Sequence, residues 1–225
     1  MACIEMIVFD MDGVLVKVRS SWEYVHRSLG VLEEANKVKQ LYEEGKIDYI
    51  KWMELDTKLW INASNGRLHI SRLSELLDKV ELMPGAVETS RTLHRMGKRI
   101  AIISGGIDLL AKRVARMIGA DVWMANGLTF DKRGYLKPGG IPLVGTRKDR
   151  ALKKLAGELG IKLDKIMYVG DSSWDAPAMK LVGYPVLFGD GDGDVVRSAA
   201  KYRITRLEEL IDLIKFIEAN CGKRD

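Results

Sequence analysis

Long apolar runs are missing from this 225-residue chain. No stretch approaches the ~20 residues that a membrane-spanning helix needs, so a membrane partner is not expected. Cysteine is scarce as well. Cys3 and Cys221 stand at opposite ends without a C-x-x-C spacing, which offers no metal framework and suits a reducing cytosol. Glu5 precedes a brief apolar run and no basic n-region is present, so a secretory signal is not expected and the protein reads as cytoplasmic. Glutamine occurs once against 30% charged residues, a balance reported for hyperthermophiles. The formal charge of +5 could point to nucleic acid, but there is no basic stripe, aromatic platform or binding motif. Arg147-Lys148-Asp149-Arg150 with Lys153-Lys154 is the densest basic group, and a solvated helix face accounts for most of it. His26, His69 and His94 are isolated and show no ligand spacing.

What the chain does have is Asp10-Met11-Asp12-Gly13 at the end of the apolar run Ile7-Val8-Phe9. Residues i and i+2 of a strand share a face, and glycine lets the backbone turn just beyond them, so both carboxylates could reach one site. Ordinary Asp-Gly turn chemistry is the competing reading. Two further strand-end signals add polar residues: Arg99 to Ile103 ends at Ser104-Gly105-Gly106, and Lys165 to Val169 ends at Gly170-Asp171-Ser172-Ser173-Trp174-Asp175. Lys148 opens a helical segment between them. Short apolar strands alternating with amphipathic helices describe an α/β protein with a parallel sheet, in which ligands bind beyond the carboxyl ends of the strands.

Between these parts, residues 19–80 lose the strand pattern and carry aromatic and apolar residues at helical spacings, as in Trp22, Val25 and Leu29, and in Ile50, Met53, Leu55 and Leu59. This segment is expected to be a small helical insert, with residues 1–18 and 81–225 forming the core. Pro84 marks re-entry. Helices are expected over 85–97, 107–119 and 148–160, each closed by a glycine, and Asp131-Lys132-Arg133-Gly134 signals a hairpin. Gly189-Asp190-Gly191-Asp192-Gly193-Asp194 imitates a calcium loop, but Val195 and Lys201 occupy positions that need Gly and Glu, so it reads as a strand-to-helix connection with Asp194 near an N-cap.

In order and spacing, Asp10-Met11-Asp12-Gly13-Val14, Ser104, Lys148, and Gly170-Asp171 with Asp175 resemble the four motifs of the haloacid dehalogenase superfamily, in particular its phosphoserine phosphatase branch. The resemblance implies a Rossmann-like core, a helical cap inserted between the first and second motifs, and a small flap or hairpin near residues 126–143. It implies that Asp10 is the nucleophile forming an aspartyl-phosphate and that Asp12 is the general acid and base. Ser104 would donate to a phosphoryl oxygen, the amides of Gly105 and Gly106 would stand at a helix entrance, and Lys148 would neutralise charge. Ser104 could also be only an N-cap, and Lys148 a surface lysine. Hard oxygen ligands from Asp10, Asp171 and the carbonyl of Asp12 suit Mg²⁺, with Asp175 either a direct ligand or an acid that orients a water of Asp171.

The expected activity is a phosphomonoesterase acting on a small phosphorylated metabolite. Phosphoserine phosphatases use an acid shortly after the first motif to meet the substrate ammonium and a cap arginine to meet its carboxylate. Here Arg19 falls near the acidic position, residues 49–60 hold Lys51 and Lys58 but no arginine, and Trp174 departs from the branch. Arg19, Trp22, Tyr49 and Trp52 are the candidate substrate contacts, with core packing the alternative for each aromatic. Phosphoglycolate or sugar-phosphate phosphatases and phosphomutases share the first motif. A phospho-aspartate receiver domain is the rival of another class, disfavoured by the insert and by Asp12.

Overall fold

Met6-Ile7-Val8-Phe9 contains no polar residue because both of its faces are covered: Ile7 and Phe9 pack into one hydrophobic layer, Met6 and Val8 into another. This strand, β1 (Met6–Phe9), is the centre of a seven-stranded sheet in the computed structural model, which describes residues 3–221. The others are β2 (Arg99–Ile107), β3 (Val122–Phe130), β4 (Leu136–Ile141), β5 (Ile166–Gly170), β6 (Tyr184–Phe188) and β7 (Tyr202–Ile204). Their order is β4-β3-β2-β1-β5-β6-β7, and every pair is parallel except β3 with β4. The chain therefore builds outward from β1 on one side, then returns to build outward on the other.

Four helices, α1 (Ser21–Ser28), α2 (Leu32–Glu43), α3 (Tyr49–Ala63) and α4 (Ile70–Leu77), form the insert after β1. Ser20 caps α1 by accepting from Glu23 N, and Asp48 caps α3 by accepting from Lys51 N. Helices α5 (Ala86–Arg95), α6 (Asp108–Ile118) and α10 (Glu209–Ala219) contribute to the Phe9 layer. Helices α7 (Lys148–Leu159), α8 (Ala176–Met179) and α9 (Asp194–Ala199) contribute to the Val8 layer. Glycines follow α5, α6 and α7 with φ of 73°, 71° and 65°, the left-handed stop read from the sequence.

Several expectations change. β2 does not stop at Ile103 but continues through Ser104-Gly105-Gly106 to Ile107, with a register irregularity against β3. The hairpin at 131–134 is present, and β4 packs along α3: Gly139 N donates to Thr57 Oγ1 at 2.7 Å. Ile50 is 60% exposed, and the buried stripe of α3 is Met53, Asp56, Thr57 and Trp60. The reading of Cys3 and Cys221 as separate thiols is overturned: they are joined as a disulfide with Cα atoms 6.3 Å apart. Lys98 brings the chain ends together by donating to the Ile4 carbonyl and pairing with Glu218. No helix among the described residues is long and apolar enough to cross a membrane.

Candidate active site

Phe9 is in register with Ile102 of β2 and Val169 of β5, so Asp10 and Asp171 follow the ends of their strands at the same end of the sheet as Ser104, which lies within β2. Asp10 N donates to Val169 O at 2.9 Å and fixes the first of these. Gly13, at φ 78°, makes the turn beyond, and a Cβ there would collide with the Asp171 carboxylate.

Lys148, first residue of α7, is buried and reaches two carboxylates. Its Nζ lies 2.8 Å from Asp10 Oδ2 and 2.7 Å from Asp175 Oδ1. Asp10 Oδ1 accepts from Met11 N at 2.7 Å. Asp175 is fully buried and fully engaged: Oδ1 also accepts from Tyr168 Oη at 2.8 Å, while Oδ2 accepts from Asp171 N, Ser172 N and Ser172 Oγ at 3.2, 3.0 and 2.9 Å. Such saturation favours Asp175 as the group that orders Lys148 and the Asp171 turn.

Asp12 is held differently. Its Oδ2 accepts from both Ser21 N and Ser21 Oγ at 2.8 Å, and its Oδ1 is buried without a hydrogen-bond partner. Ser104 Oγ accepts from Gly106 N at 2.9 Å, which leaves its own proton free to be donated. Ser104 is not an N-cap, because α6 begins four residues later with Ile107 in the cap position. The Gly106 amide is spent on Ser104 rather than offered to an anion. The Gly105 carbonyl accepts from Trp22 Nε1 at 3.2 Å and from Asn126 Nδ2 at 2.7 Å, which fixes that turn of backbone.

The charges are crowded. Burial, then the neighbouring Asp175 and Asp171 carboxylates, push Asp10 well above the usual carboxylate range against the pull of Lys148. Burial and Asp175 push Asp171 up to about 7. Asp12 is also raised by burial, although its Ser21 hydrogen bonds oppose the shift. Burial works against the Lys148 charge, but Asp10 and Asp175 outweigh it and hold the ammonium well above its ordinary value. Asp10, Asp171 and Asp175 offer oxygens within 4.8 Å of one another. Four carboxylates facing one ammonium, all with hard oxygen donors, fit a divalent cation such as Mg²⁺.

Above the sheet edge, a cavity of about 700 Å³ is bounded by Asp10 and its neighbours on the core side and the insert on the other. Asp10, Asp12, Ser104, Gly105, Lys148 and Asp171 line its floor; Arg19, Trp22, Tyr49 and Trp52 line the insert side. Asp175 lies behind Lys148 and is not part of the lining. The Gly189–Asp192 loop, between β6 and α9, also borders the cavity, with Asp192 accepting from Ser173 N and Oγ at 2.7 and 2.9 Å. Gly193 is the α9 N-cap and Asp194 lies in the first turn.

Sequence reasoning missed four contributors. Ser21 holds Asp12, and its Oγ accepts from Ile107 N at 3.1 Å, so it ties the insert to β2. Tyr168 is hidden in the apolar β5 run. Asn126 donates to Gly105 O and Tyr49 Oη, and accepts from Val144 N and Gly145 N at 3.1 and 2.9 Å; its signal was a single amide beside glycine in an apolar strand. Asp56 is the fourth, on the buried stripe of α3 and in the cavity wall.

This chain is 28% identical over 186 residues to a phosphoserine phosphatase of Methanocaldococcus jannaschii, covering 82% of this chain and 85% of that protein. It is 26% identical over 216 residues to a phosphoserine phosphatase of Archaeoglobus fulgidus, covering 95% of this chain and 60% of that longer protein. A solved phospho-aspartyl intermediate analogue of phosphoserine phosphatase superposes with a TM-score of 0.75 at 26% identity, covering 95% of this chain and 98% of the other. A substrate-bound phosphoserine phosphatase complex gives the same TM-score at 25% identity over the same shares. Residues 4–183 match the haloacid dehalogenase-like hydrolase family, and the chain belongs to that family of hydrolases.

Proposed function

We propose that this protein is a Mg²⁺-dependent phosphomonoesterase that works through an aspartyl-phosphate on Asp10 and acts on a small phosphorylated metabolite. The observation that carries this reading is the Lys148 clamp on Asp10 at the floor of a cavity shared with Asp12 and Ser104. A phosphate monoester resists attack because its oxygens are anionic and its leaving alkoxide is poor, so a catalyst must supply positive charge, an aligned nucleophile and a proton. Asp10 Oδ attacks phosphorus as the ester P–O bond breaks, and Asp12 gives its proton to the departing oxygen. The unpartnered Oδ1 is where that proton sits, and the raised affinity of Asp12 for protons favours the acid form. Asp12, now ionised, takes a proton from the water that attacks the phosphoryl group and frees Asp10. Ser104 Oγ–H and Lys148 Nζ hold the transferring oxygens.

Mg²⁺ would be held by Asp10 and Asp171 with the Asp12 carbonyl, and would supply positive charge to the phosphoryl oxygens and keep Asp10 ionised. Residues 19–80 act as the cap and residues 1–18 with 81–225 as the catalytic core. A cytoplasmic setting accompanies a metabolite substrate; the Cys3–Cys221 bond fits the disulfide-using cytoplasm of thermophiles. No nucleic-acid partner is part of this reading.

The test is phosphate release across phosphoserine, phosphoglycolate, sugar phosphates and nucleotides, with and without Mg²⁺. Turnover that needs Mg²⁺ and disappears in Asp10→Asn is expected, and near-wild-type turnover by Asp10→Asn refutes the mechanism. Isomerised sugar phosphate in place of free phosphate would select a phosphomutase using the same residues.

A further inference from the structure

Tyr49, the first residue of α3, carries a hydroxyl proton that no described residue accepts. The direction of its one hydrogen bond is fixed by Asn126, which is fully buried. Asn126 Oδ1 meets Val144 N and Gly145 N, groups that can only donate, at 3.1 and 2.9 Å. Its Nδ2 meets Gly105 O, which can only accept, at 2.7 Å. The amide therefore has one orientation. Its second Nδ2 proton goes to Tyr49 Oη at 2.8 Å, so the phenol oxygen is the acceptor of that bond. The Tyr49 O–H is left to donate elsewhere.

Asn126 also fixes where that hydroxyl stands. Gly105 follows Ser104, and Val144 and Gly145 lie on the turn that leads into Lys148, so one amide ties Tyr49 Oη to the two backbone segments that carry these donors. The ring is held as well. It meets Trp52 and Tyr42 edge-on, with centroids 5.6 and 6.0 Å apart, and it covers Gly145, where a Cβ would lie 3.7 Å from Tyr49 Cδ1. Tyr49 is half-buried and lines the cavity whose floor holds Asp10, Ser104 and Lys148. Burial raises the phenol above its ordinary value, and Tyr42 and Asp56 add to the rise, while Asn126 and the nearby Lys148 ammonium pull it back without cancelling it. Tyr49 is therefore a neutral donor and not a base.

A donor held in this way is already oriented before a ligand arrives, and such donors contribute most where charge develops during a reaction. Two parts of a phosphate ester could meet it, the leaving group or the phosphoryl oxygens. The shared amide decides between them. Tyr49 Oη and Gly105 O are both bonded to Asn126 Nδ2, which sets the hydroxyl beside the backbone turn after Ser104 and not far out along the insert wall. A phosphoryl group in transfer spreads its charge over three oxygens, each of which accepts hydrogen bonds. A neutral O–H stabilises such an oxygen without repelling the Lys148 ammonium.

We propose that Tyr49 Oη–H donates to a non-bridging oxygen of the phosphoryl group as it passes to and from Asp10, which makes Tyr49 a catalytic residue supplied by the insert and Asn126 the residue that positions it. The assignment rests on the phosphomonoesterase reading above. No proton leaves Tyr49; the hydroxyl lends a hydrogen bond that strengthens as charge builds on the phosphoryl oxygens. The insert then takes part in phosphoryl transfer itself, besides walling in the leaving group.

The test measures phosphate release with Mg²⁺ from n-propyl phosphate, glycerol 3-phosphate and p-nitrophenyl phosphate by the wild type and Tyr49→Phe, which keeps the ring and removes the hydroxyl. In the variant, kcat/KM is expected to fall by about tenfold or more, and by the same factor on all three esters, because the phosphoryl group is all they share. An unchanged kcat/KM overturns the proposal. So does a loss confined to glycerol 3-phosphate, which would place the hydrogen bond on the leaving group. Inhibition by orthovanadate is expected to weaken by a similar factor, and because its Ki is read from the active fraction, partial unfolding of the variant does not move it; an unchanged Ki overturns the proposal. If Tyr49→Phe does not fold, a crystal structure of the wild type with vanadate at Asp10 decides: a vanadate oxygen within about 3.2 Å of Tyr49 Oη upholds the proposal, and none within hydrogen-bond reach overturns it. Release of phosphate from none of the esters by the wild type would refute the phosphomonoesterase reading alone, and the vanadate structure would still decide for Tyr49. A crystal at saturating vanadate with no oxyanion at Asp10 overturns both.

Discussion

The Lys148 ammonium lies 2.8 Å from Asp10 Oδ2 in a buried position on the cavity floor, where it is the counter-charge for a carboxylate whose affinity for protons burial raises. Lys148→Met would leave both Asp10 and Asp175 uncompensated. We expect kcat to fall by about 10²–10³ and folding stability to drop by about 3–5 kcal/mol at saturating Mg²⁺, measured by phosphate release and urea unfolding. Loss of activity with unchanged stability would show that the Asp10 and Asp175 charges are not balanced by this lysine.

In the proposed mechanism Asp12 protonates the leaving group, so its value depends on how poor that group is. Asp12→Asn should cost about 10²–10⁴ in kcat on an alkyl phosphate and much less on p-nitrophenyl phosphate, whose phenolate leaves without help. Equal losses on the two esters in steady-state assays would remove Asp12 from that role.

Mg²⁺ should stabilise the fold whether or not substrate is present, because the site proposed for it is a cluster of like charges. At a concentration about 100 times its Kd it contributes about 2.7 kcal/mol, seen as a rise in Tm that a chelator reverses. Asp171→Asn is expected to abolish most of that rise. A Tm indifferent to Mg²⁺ in both proteins would count against the metal site.

The folded-state pKa of Asp56 is raised above the ordinary 3.8. A raised carboxyl contributes stability that is present in full below its unfolded pKa and lost as pH rises through its folded pKa. Asparagine mimics the protonated form at every pH. Asp56→Asn should therefore raise Tm at neutral pH, and the gain should shrink toward zero as pH falls to the ordinary carboxylate value. A gain that grows in acid would mean that Asp56 is stabilised as an anion.

Much of the sheet was legible because its strands are short apolar runs closed by polar turns, and the glycines after α5, α6 and α7 punctuate it. Asp10 and Asp171 could be found because each follows a strand end, Lys148 because it opens a helix, and Ser104 because the apolar run of β2 gives way to it. The apparent stripe Ile50, Met53, Leu55 and Leu59 was misleading for a physical reason. The face of α3 that is buried, Met53, Asp56, Thr57 and Trp60, includes two polar residues whose partners, His26 and Gly139, come from distant parts of the chain. Ser21 and Asn126 were illegible for the same cause. Each acts through backbone atoms far away in sequence, the Ile107 amide and the Gly105 carbonyl, and no local spacing announces such a bond.

The Cys3–Cys221 bond joins residues 218 positions apart and turns nearly the whole chain into a closed ring. A protease that cuts one exposed loop of such a ring opens it without releasing a fragment. The insert and the core then stay on one covalent molecule, and a nicked protein keeps both walls of its cavity tethered until a reductant separates them.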